Sequence, residues 1–244
     1  MSENMSEDVL PLFVLPMVLM PGEIQELRIF EPRYRQMLDS CILDEKPFGL
    51  VMSDSFNQMN GWDCPVEIGT EADILQHETK GANHFITIVG RRRFVIKRII
   101  EPALPPLTDD SFSDIYEEDG PYPELETILK YIPDTAENSN LYFSGEVEYI
   151  ETEKPIDENH QFFVAQLLRT RLLAIAQMIG LPQEMLDDWV EEKIGQIVNE
   201  DYDSIYSVAA LFIAGNEQRQ SILEITSPDE VLENLVSLFY DEEE

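Results

Sequence analysis

The spacing of apolar residues changes along this chain, and the change limits the folds that it can adopt. Over the first 100 residues the apolar stretches are short, rich in β-branched residues, and separated by prolines and glycines. Such stretches are typical of strands. From Asp157 onward apolar residues recur every three or four positions, as they do on one face of a helix. The sequence therefore predicts an α+β protein, with a strand-rich part followed by helices.

Five or six short strands are predicted before residue 100. They fall at 10–23, 24–29, 47–53, 66–76, 84–89 and 91–100. A polar loop is predicted to lead to Gly61, and a hairpin turn is predicted at 79–83. After a long interruption, the alternating stretch at 145–153 predicts an edge strand that rejoins the sheet. This number of short strands predicts a small β-barrel-like domain.

One helix interrupts the strands, in the stretch RIFEPRYRQML at 28–38. Pro32 suits the first turn of a helix, where its missing N–H costs nothing. The apolar face is then formed by Tyr34, Met37, Leu38, Cys41 and Ile42. The opposite face, with Arg33, Gln36 and Ser40, is predicted to be solvated. We expect Cys41 to be a buried free thiol.

Acidic residues are concentrated after residue 100. Residues 1–100 carry 10 Lys and Arg against 15 Asp and Glu, and residues 101–244 carry 6 against 34, for a total net charge of −33. Residues 101–139 combine six prolines with many acids and predict an extended insertion with one short helix in PELETILKYI. We therefore expect a β-barrel domain at 1–100 plus 140–155, the acidic Pro-rich insertion at 101–139, and a bundle of five helices at 156–244.

The charge and the motifs argue against several functional classes. A strongly acidic surface repels phosphate backbones and anionic lipid. The alternative interpretation is that the charge only maintains solubility. No stretch approaches the ~18 consecutive apolar residues of a membrane span, and the acidic N-terminus is unlike a secretory signal, so we expect a cytoplasmic protein. We find no P-loop, no G-x-S-x-G motif and no metal-ligand spacing of His and Cys. We therefore expect no catalytic residues, no metal and no cofactor.

Five motifs resemble one known family. LPLFVLPMVLMPGE, RIFEPRYRQML, FGLV, EIGTEADI and VGRRRF follow one another, and together they resemble the N-terminal substrate-binding domain of Lon proteases. The C-terminal run SIYSVAALFIAGNEQRQSILEITSPDEVLENLVSLF is similar to the closing helices of that family. The resemblance is closest to the stand-alone form without the ATPase and protease domains. Arg28 stands where the family commonly has His.

The resemblance implies a fold and a function. The implied fold is a PUA-like β-barrel followed by an α-helical bundle. The implied function is non-catalytic binding of unfolded or client polypeptides, linked to protein quality control or proteolysis. The alternatives are an RNA-binding protein with a PUA-like barrel, and an enzyme. An enzyme would require His77, His84 or Cys64 to converge in one pocket, whereas we expect the two histidines to form a surface pair beside the hairpin turn.

The first candidate recognition surface lies near the early helix. Binding to unfolded polypeptides generally requires exposed apolar surface. We expect this surface from residues 12–20 and the start of the helix, with arginine at its edge. The candidate contact residues are Leu12, Val18, Phe30, Glu31, Arg33 and Arg35. The alternative for Leu12 and Val18 is that they belong to the barrel core.

The second candidate surface is the basic cluster Arg91, Arg92 and Arg93. The cluster is either structural, pairing with acids such as Glu31, or it binds acidic segments of clients, or it binds RNA. RNA binding would also require exposed aromatic side chains for stacking. Phe94 is the neighbouring aromatic residue, and strand alternation predicts that it points inward.

Overall fold

Two units make up the part of the chain that the computed structural model describes, namely residues 8–81, 83–112, 115, 122–150, 156–199 and 203–241. The first unit contains the described residues up to Leu19 together with Ile24–Ile150. The second contains Met20–Glu23 and the described residues from 156 onward. The predicted α+β class, with a sheet followed by helices, is confirmed.

Strands dominate the first unit. They are β1 (Asp8–Leu15), β2 (Ile24–Ile29), β3 (Phe48–Met59), β4 (Trp62–Pro65), β5 (Ile68–Lys80), β6 (Asn83–Ile100) and β7 (Ser144–Tyr149). The helices of this unit are α1 (Pro32–Asp44) and α2 (Leu125–Leu129). The helix predicted in PELETILKYI is therefore confirmed as α2.

The sheet closes on itself. Strand β1 pairs with β7, β7 with β6, β6 with β5, and β5 with β3, all antiparallel. Strand β3 then returns to β1 in a parallel pairing that places Leu12 opposite Gly49. These five strands form what we call the closed sheet, while β2 pairs with β6 and β4 pairs with β3.

The interior of the closed sheet is filled by apolar side chains. Leu10, Leu12 and Val14 alternate along β1 and join the buried side chains Val51, Phe94, Ile96, Phe143 and Val147. A Cβ atom at Gly49 would lie 2.5 Å from Cζ of Phe94, and one at Gly69 would lie 2.9 Å from it. The two glycines therefore make room for the phenyl group. Phe94 is fully buried, which confirms that it points inward.

Helix α1 packs on the outer face of the closed sheet. Its side chains Tyr34, Met37, Leu38 and Cys41 are buried with Phe13, Phe48, Leu50 and Ile88. The Tyr34 hydroxyl donates to the carbonyl oxygen of Val14 over 2.6 Å. Cys41 is a buried free thiol as predicted, and burial raises its pKa to about 12. The predicted apolar face is confirmed except at Ile42, which is 37% exposed.

The face of α1 opposite this core is partly covered: Arg33, Gln36 and Ser40 are half-buried, so the prediction of a solvated face is wrong for these three residues. Gln36 donates through Nε2 to the carbonyl oxygen of Ser139 (3.1 Å) and accepts through Oε1 from the N–H of Leu141 (2.8 Å). Apolar residues of the proline-rich segment form a core together with Leu141, in which Leu104, Phe112, Ile115 and Ile128 are also buried. The expectation of an extended segment is therefore wrong for these residues, because their apolar side chains are numerous enough to pack together.

Three strand predictions also need correction. The stretches at 84–89 and 91–100 form one strand, β6, because β2 supports its first part and β7 its last part. The predicted polar loop before Gly61 is the second half of β3, which pairs with β4. Strand β7 is not an edge strand, since it lies between β1 and β6.

The second unit consists of helices. They are α3 (Glu158–Met178), α4 (Gln183–Ile197), α5 (Asp203–Phe212), α6 (Asn216–Glu224) and α7 (Pro228–Asp241). Val231 and Leu235 are buried as predicted, while the side chains of Leu238 and Phe239 lie outside the described residues. None of the helices in the described ranges is both long and apolar enough to cross a membrane.

The Pro-Gly turn near the N-terminus belongs to this helical unit. The Glu23 carboxylate accepts from Nη2 of Arg219 on α6 (2.5 Å) and from the N–H of Met20 (2.9 Å). Both charged side chains are largely buried, at 15% and 13% exposure. Removing either side chain would leave the other charge buried without its partner, which strongly lowers the free energy of unfolding. The ion pair therefore holds the turn in place.

We expect Leu38→Ala to lower the free energy of unfolding by about 2–5 kcal/mol, since it removes a fully buried side chain and leaves a cavity. Leu43→Ala is the matched control, because Leu43 lies on the same helix and is 83% exposed. It is expected to change the free energy by about 0.5 kcal/mol or less. Urea unfolding of both variants measures the difference, and equal losses would contradict the assignment of the apolar face.

Candidate functional site

A cavity of about 160 Å³ opens beside the start of α1, within the first unit. It lies between the beginning of that helix, β4, and the segment that follows β6. Most of its lining is aliphatic, aromatic or proline. The residues that line it are Glu31, Pro32, Arg33, Trp62, Leu104, Pro105, Pro106, Leu107, Thr108, Tyr122, Ile128 and Leu141.

Arg33 is a fixed part of the wall. Its guanidinium carbon lies 4.0 Å from the centroid of the Trp62 ring and 4.1 Å from that of Tyr34. Its Nε donates to the Glu31 carboxylate over 2.9 Å. The side chain is only 17% exposed. Two aromatic faces and a carboxylate therefore hold the cation in one place and offset its charge.

The polar groups around the cavity are used to join its walls. The indole N–H of Trp62 donates to the carbonyl oxygen of Leu104 (2.9 Å), and Asn60 Nδ2 donates to that of Pro102 (3.3 Å). Gly61 has a φ of 78°, and a Cβ atom there would lie 3.0 Å from Cδ of Pro106. The β3–β4 turn therefore lies close against the proline segment. Because these polar groups bond to each other, the surface that faces the cavity is mostly apolar.

Two exposed aromatic side chains adjoin the cavity. Phe30 is 46% exposed and Tyr122 is 38% exposed, and their ring centroids are 6.1 Å apart. The Arg28 guanidinium lies 5.8 Å from the Phe30 ring and donates twice to Oδ1 of Asn83. Exposed aromatic groups beside an apolar cavity are characteristic of binding surfaces.

The structure brings together some of the predicted contact residues. Glu31 and Arg33 line the cavity. Phe30 lies beside the cavity, because its ring contacts that of the lining residue Tyr122. Arg35 is half-buried on α1 and does not line the cavity; its buried Nε has no hydrogen-bond partner among the described residues.

Two predicted contact residues require correction. Leu12 is fully buried inside the closed sheet, and Val18 is 2% exposed. Neither side chain is available to a partner, because both are buried, Leu12 against side chains such as Phe94. The alternative interpretation, that both belong to the core, holds for them.

Sequence reasoning did not identify Trp62, Tyr122 and the proline segment as parts of a site. Trp62 is one of only two tryptophans in the chain, and it lies in a stretch predicted to follow a polar loop. Aliphatic and aromatic residues interspersed among the prolines of the acidic segment were the available signal. Their convergence depends on contacts between residues distant in the chain, such as the pair Trp62 and Leu104.

The basic cluster pairs with acids on the neighbouring strand β5. Arg91 donates to Asp73 (2.7 Å), and Arg92 donates through two nitrogens to Glu71 (3.1 and 2.9 Å). The Arg92 guanidinium also lies 3.6 Å from the centroid of the Tyr149 ring. Arg93 is buried, at 3% exposure. These contacts favour the structural interpretation, although the partners are Glu71 and Asp73 and not Glu31.

The structure brings His77 and His84 together, but not Cys64. His77 Nε2 and His84 Nδ1 are 3.0 Å apart, with Thr79 Oγ1 3.3 Å from each. His84 is buried, which contradicts a surface pair, and burial is the main cause that lowers its pKa. Cys64 lies elsewhere, on β4, where its backbone is opposite that of Asp54 on β3. Within the described residues, no three His, Cys, Asp or Glu side chains are grouped to hold a metal.

The chain belongs to the family of the ATP-dependent protease La (LON) substrate-binding domain, whose model matches residues 9–239. The family match confirms the resemblance read from the five motifs. It favours a substrate-recognition module over the RNA-binding alternative. No curated protein matches the chain.

Solved structures show the same fold. The crystal structure of a Lon N-terminal domain protein from Xanthomonas campestris has a TM-score of 0.56 at 20% identity, covering 94% of this chain and 98% of that one. The N-terminal domain of the Mycobacterium avium complex Lon protease has a TM-score of 0.57 at 17% identity, covering 96% and 99%. At these identities the likeness concerns the fold.

We expect Arg33→Ala to lower the free energy of unfolding by about 1–2 kcal/mol, since it removes two aromatic contacts and a partly buried ion pair. Arg91→Ala is the control, because Arg91 forms an ion pair with both side chains about half exposed. It is expected to cost about 0.5 kcal/mol or less. Thermal and urea unfolding check the difference. A loss at Arg33 no greater than that at Arg91 would show that the guanidinium is not a fixed wall.

Proposed function

We propose that this chain recognises polypeptides, and that the cavity beside α1 receives an apolar side chain from an unfolded segment. The observation that carries the proposal is the apolar lining of the cavity beside two exposed aromatic rings. A cavity of about 150 Å³ lined by apolar side chains is large enough to bind benzene. The volume of about 160 Å³ therefore suits one aliphatic or aromatic side chain.

The surroundings of the cavity support an extended ligand. Phe30 and Tyr122 flank it and offer rings on which neighbouring residues of the ligand can pack. Pro105 and Pro106 carry no N–H group, so that stretch of wall presents few donors to apolar groups. The proposed contact residues are Phe30, Glu31, Arg33, Trp62, Leu107 and Tyr122. Leu12, Val18 and Arg35 are left out of this set.

We propose further that binding occurs without catalysis and in the cytoplasm. The matched family is defined by substrate binding, and a recognition role needs only the cavity and its aromatic neighbours. Both cysteines are free thiols, which is the state that a reducing cytosol maintains.

Fluorescence anisotropy of a labelled peptide tests the site. The probe is an unstructured peptide of about 12 residues with one central Phe and uncharged polar flanks. Phe30→Ala and Tyr122→Ala are each expected to weaken binding about tenfold, because each removes an aromatic surface at the mouth of the cavity. Phe56→Ala is the matched control, since Phe56 is 96% exposed and does not line the cavity.

The control is expected to bind the peptide as the unaltered protein does, with circular dichroism confirming that all three variants are folded. Equal weakening at Phe56 would mean that the peptide binds any exposed aromatic group. Unchanged binding at both Phe30 and Tyr122 would exclude this cavity as the site.

A further inference from the structure

Strand β2 has one edge that pairs with no other described strand. Its six residues pair with β6 in a single unbroken register, from Ile24 opposite Val89 to Ile29 opposite His84. In an antiparallel pair, alternate residues direct their N–H and C=O groups toward the partner strand, and the others direct theirs away. Half of the β2 residues therefore direct these groups to the side on which no described strand lies.

The backbone groups on this edge are available for hydrogen bonds. Among the described residues, no backbone group outside β6 bonds to the backbone of β2. One side chain does so, since Gln25 Nε2 donates to the carbonyl oxygen of Glu26 over 3.2 Å. That bond is exposed to water, so the N–H group of an incoming chain can replace it with little change in free energy.

Strand β2 lacks several features that usually prevent strand addition. Natural edge strands are often protected by proline, lysine, a bulge or a short length. β2 contains no proline and no lysine, and its register has no shift. By contrast, β4 has only four residues and ends at Pro65. The part of β5 beyond its pairing with β3 has a register shift between Ile74 and Gln76 and ends at Lys80.

The charged side chains of β2 leave the edge open. They are Glu26 and Arg28, and both are exposed. Side chains of a strand stand roughly perpendicular to the sheet, so these two project from its face and not across its edge. Arg28 is also held toward β6, because its guanidinium donates twice to Oδ1 of Asn83.

The free edge of β2 leads to the cavity. The strand ends at Ile29, and the ring of the next residue, Phe30, contacts that of the lining residue Tyr122. Glu31, two positions after the end of β2, lines the cavity itself. Two residues of extended chain span about 7 Å. A polypeptide paired along β2 can therefore place a side chain in the cavity within a few residues of the paired stretch.

We propose that an extended segment of the bound polypeptide adds to the sheet as a strand along the free edge of β2, next to the residue that enters the cavity. This inference rests on the proposed function and specifies how the backbone of the substrate is bound. All sequences share the backbone N–H and C=O groups, so this contact holds segments of different sequence, while the cavity selects the apolar anchor. The occupant is a substrate segment and not a second copy, because two chains of net charge −33 repel each other.

Peptides with methylated backbone nitrogens test the proposal. The probe is a labelled peptide of about 13 residues with a central Phe and uncharged polar residues on both sides. One version carries N-methyl groups at the second and fourth residues on each side of the Phe, and another carries them at the third and fifth. Alternate N–H groups of an added strand face β2, so one version is expected to bind about tenfold more weakly, and the other within about twofold of the unmodified peptide. Fluorescence anisotropy measures each Kd.

Amide hydrogen exchange, resolved by NMR at single residues, locates the added strand. The unmodified peptide is expected to slow exchange about tenfold or more at alternate residues of Ile24–Ile29, namely those whose N–H groups do not bond to β6. The open edge of β5, at residues 76–80, is the matched control. Its exchange rates are expected to stay unchanged.

The outcomes separate this inference from the proposed function. Equal affinity of the two methylated versions would overturn the inference, whereas the effects of Phe30→Ala and Tyr122→Ala would still support the cavity as the site. Slower exchange at the β5 edge in place of β2 would also overturn it. So would slower exchange at β2 without peptide that increases with protein concentration, since a second copy would then be the occupant. Failure of the unmodified peptide to bind would count against the proposed function itself.

Discussion

The Arg33 guanidinium is held between two aromatic rings, and the shape of the cavity depends on this contact. The start of α1 fixes one end of the contact, because the N–H groups of Tyr34 and Arg35 both donate to the carbonyl oxygen of Glu31. The Glu31 side chain then holds the arginine from the same turn. Trp62, on β4, packs against the other side of the guanidinium. Its indole N–H also donates to the carbonyl oxygen of Leu104, which links the proline segment to the contact. Although the chain has a net charge of −33, the Arg33 side chain is part of the cavity wall and is not an exposed surface cation.

Charge is distributed differently over the parts of the first unit. Six cations of the sheet and its turns form ion pairs with nearby acids, namely Lys46–Asp44, Lys80–Glu78, Arg91–Asp73, Arg92–Glu71, Lys97–Glu148 and Arg98–Glu146. The pairs with both side chains exposed, such as Lys46–Asp44 and Lys80–Glu78, add little to stability. Together with Arg33–Glu31, these pairs involve seven of the eleven Lys and Arg residues at 1–150.

Local patterns predicted the elements well, and contacts between distant residues limited the rest. The apolar face of α1 and the inward position of Phe94 follow from spacing that is visible in the sequence alone. The cover on the other face of α1 could not be predicted this way, since Gln36 bonds to Ser139, which is 103 positions away. Prolines and acids made the segment after β6 look extended, whereas Leu104 and Phe112 within it are buried.

The candidate site shows the same division. Phe30, Glu31 and Arg33 were identified because they lie together at the start of a predicted helix. Trp62 and Tyr122 were missed because the sequence places them about 30 and 90 positions further on, and only the folded chain brings them to the cavity. The prediction that Leu12 contacts a partner is wrong. Alternation along a strand shows that its two faces differ, but it does not show which face is covered by another layer.

Hydrogen exchange with and without a bound peptide tests the central claim most directly. Met178, Ile179 and Met185 of the second unit are also exposed, so that unit offers a rival apolar surface. With a peptide carrying a central Phe, the account predicts slower exchange in residues 28–36 and 102–112 and at the β3–β4 turn. Slower exchange confined to residues 176–188, with none around the cavity, would contradict it.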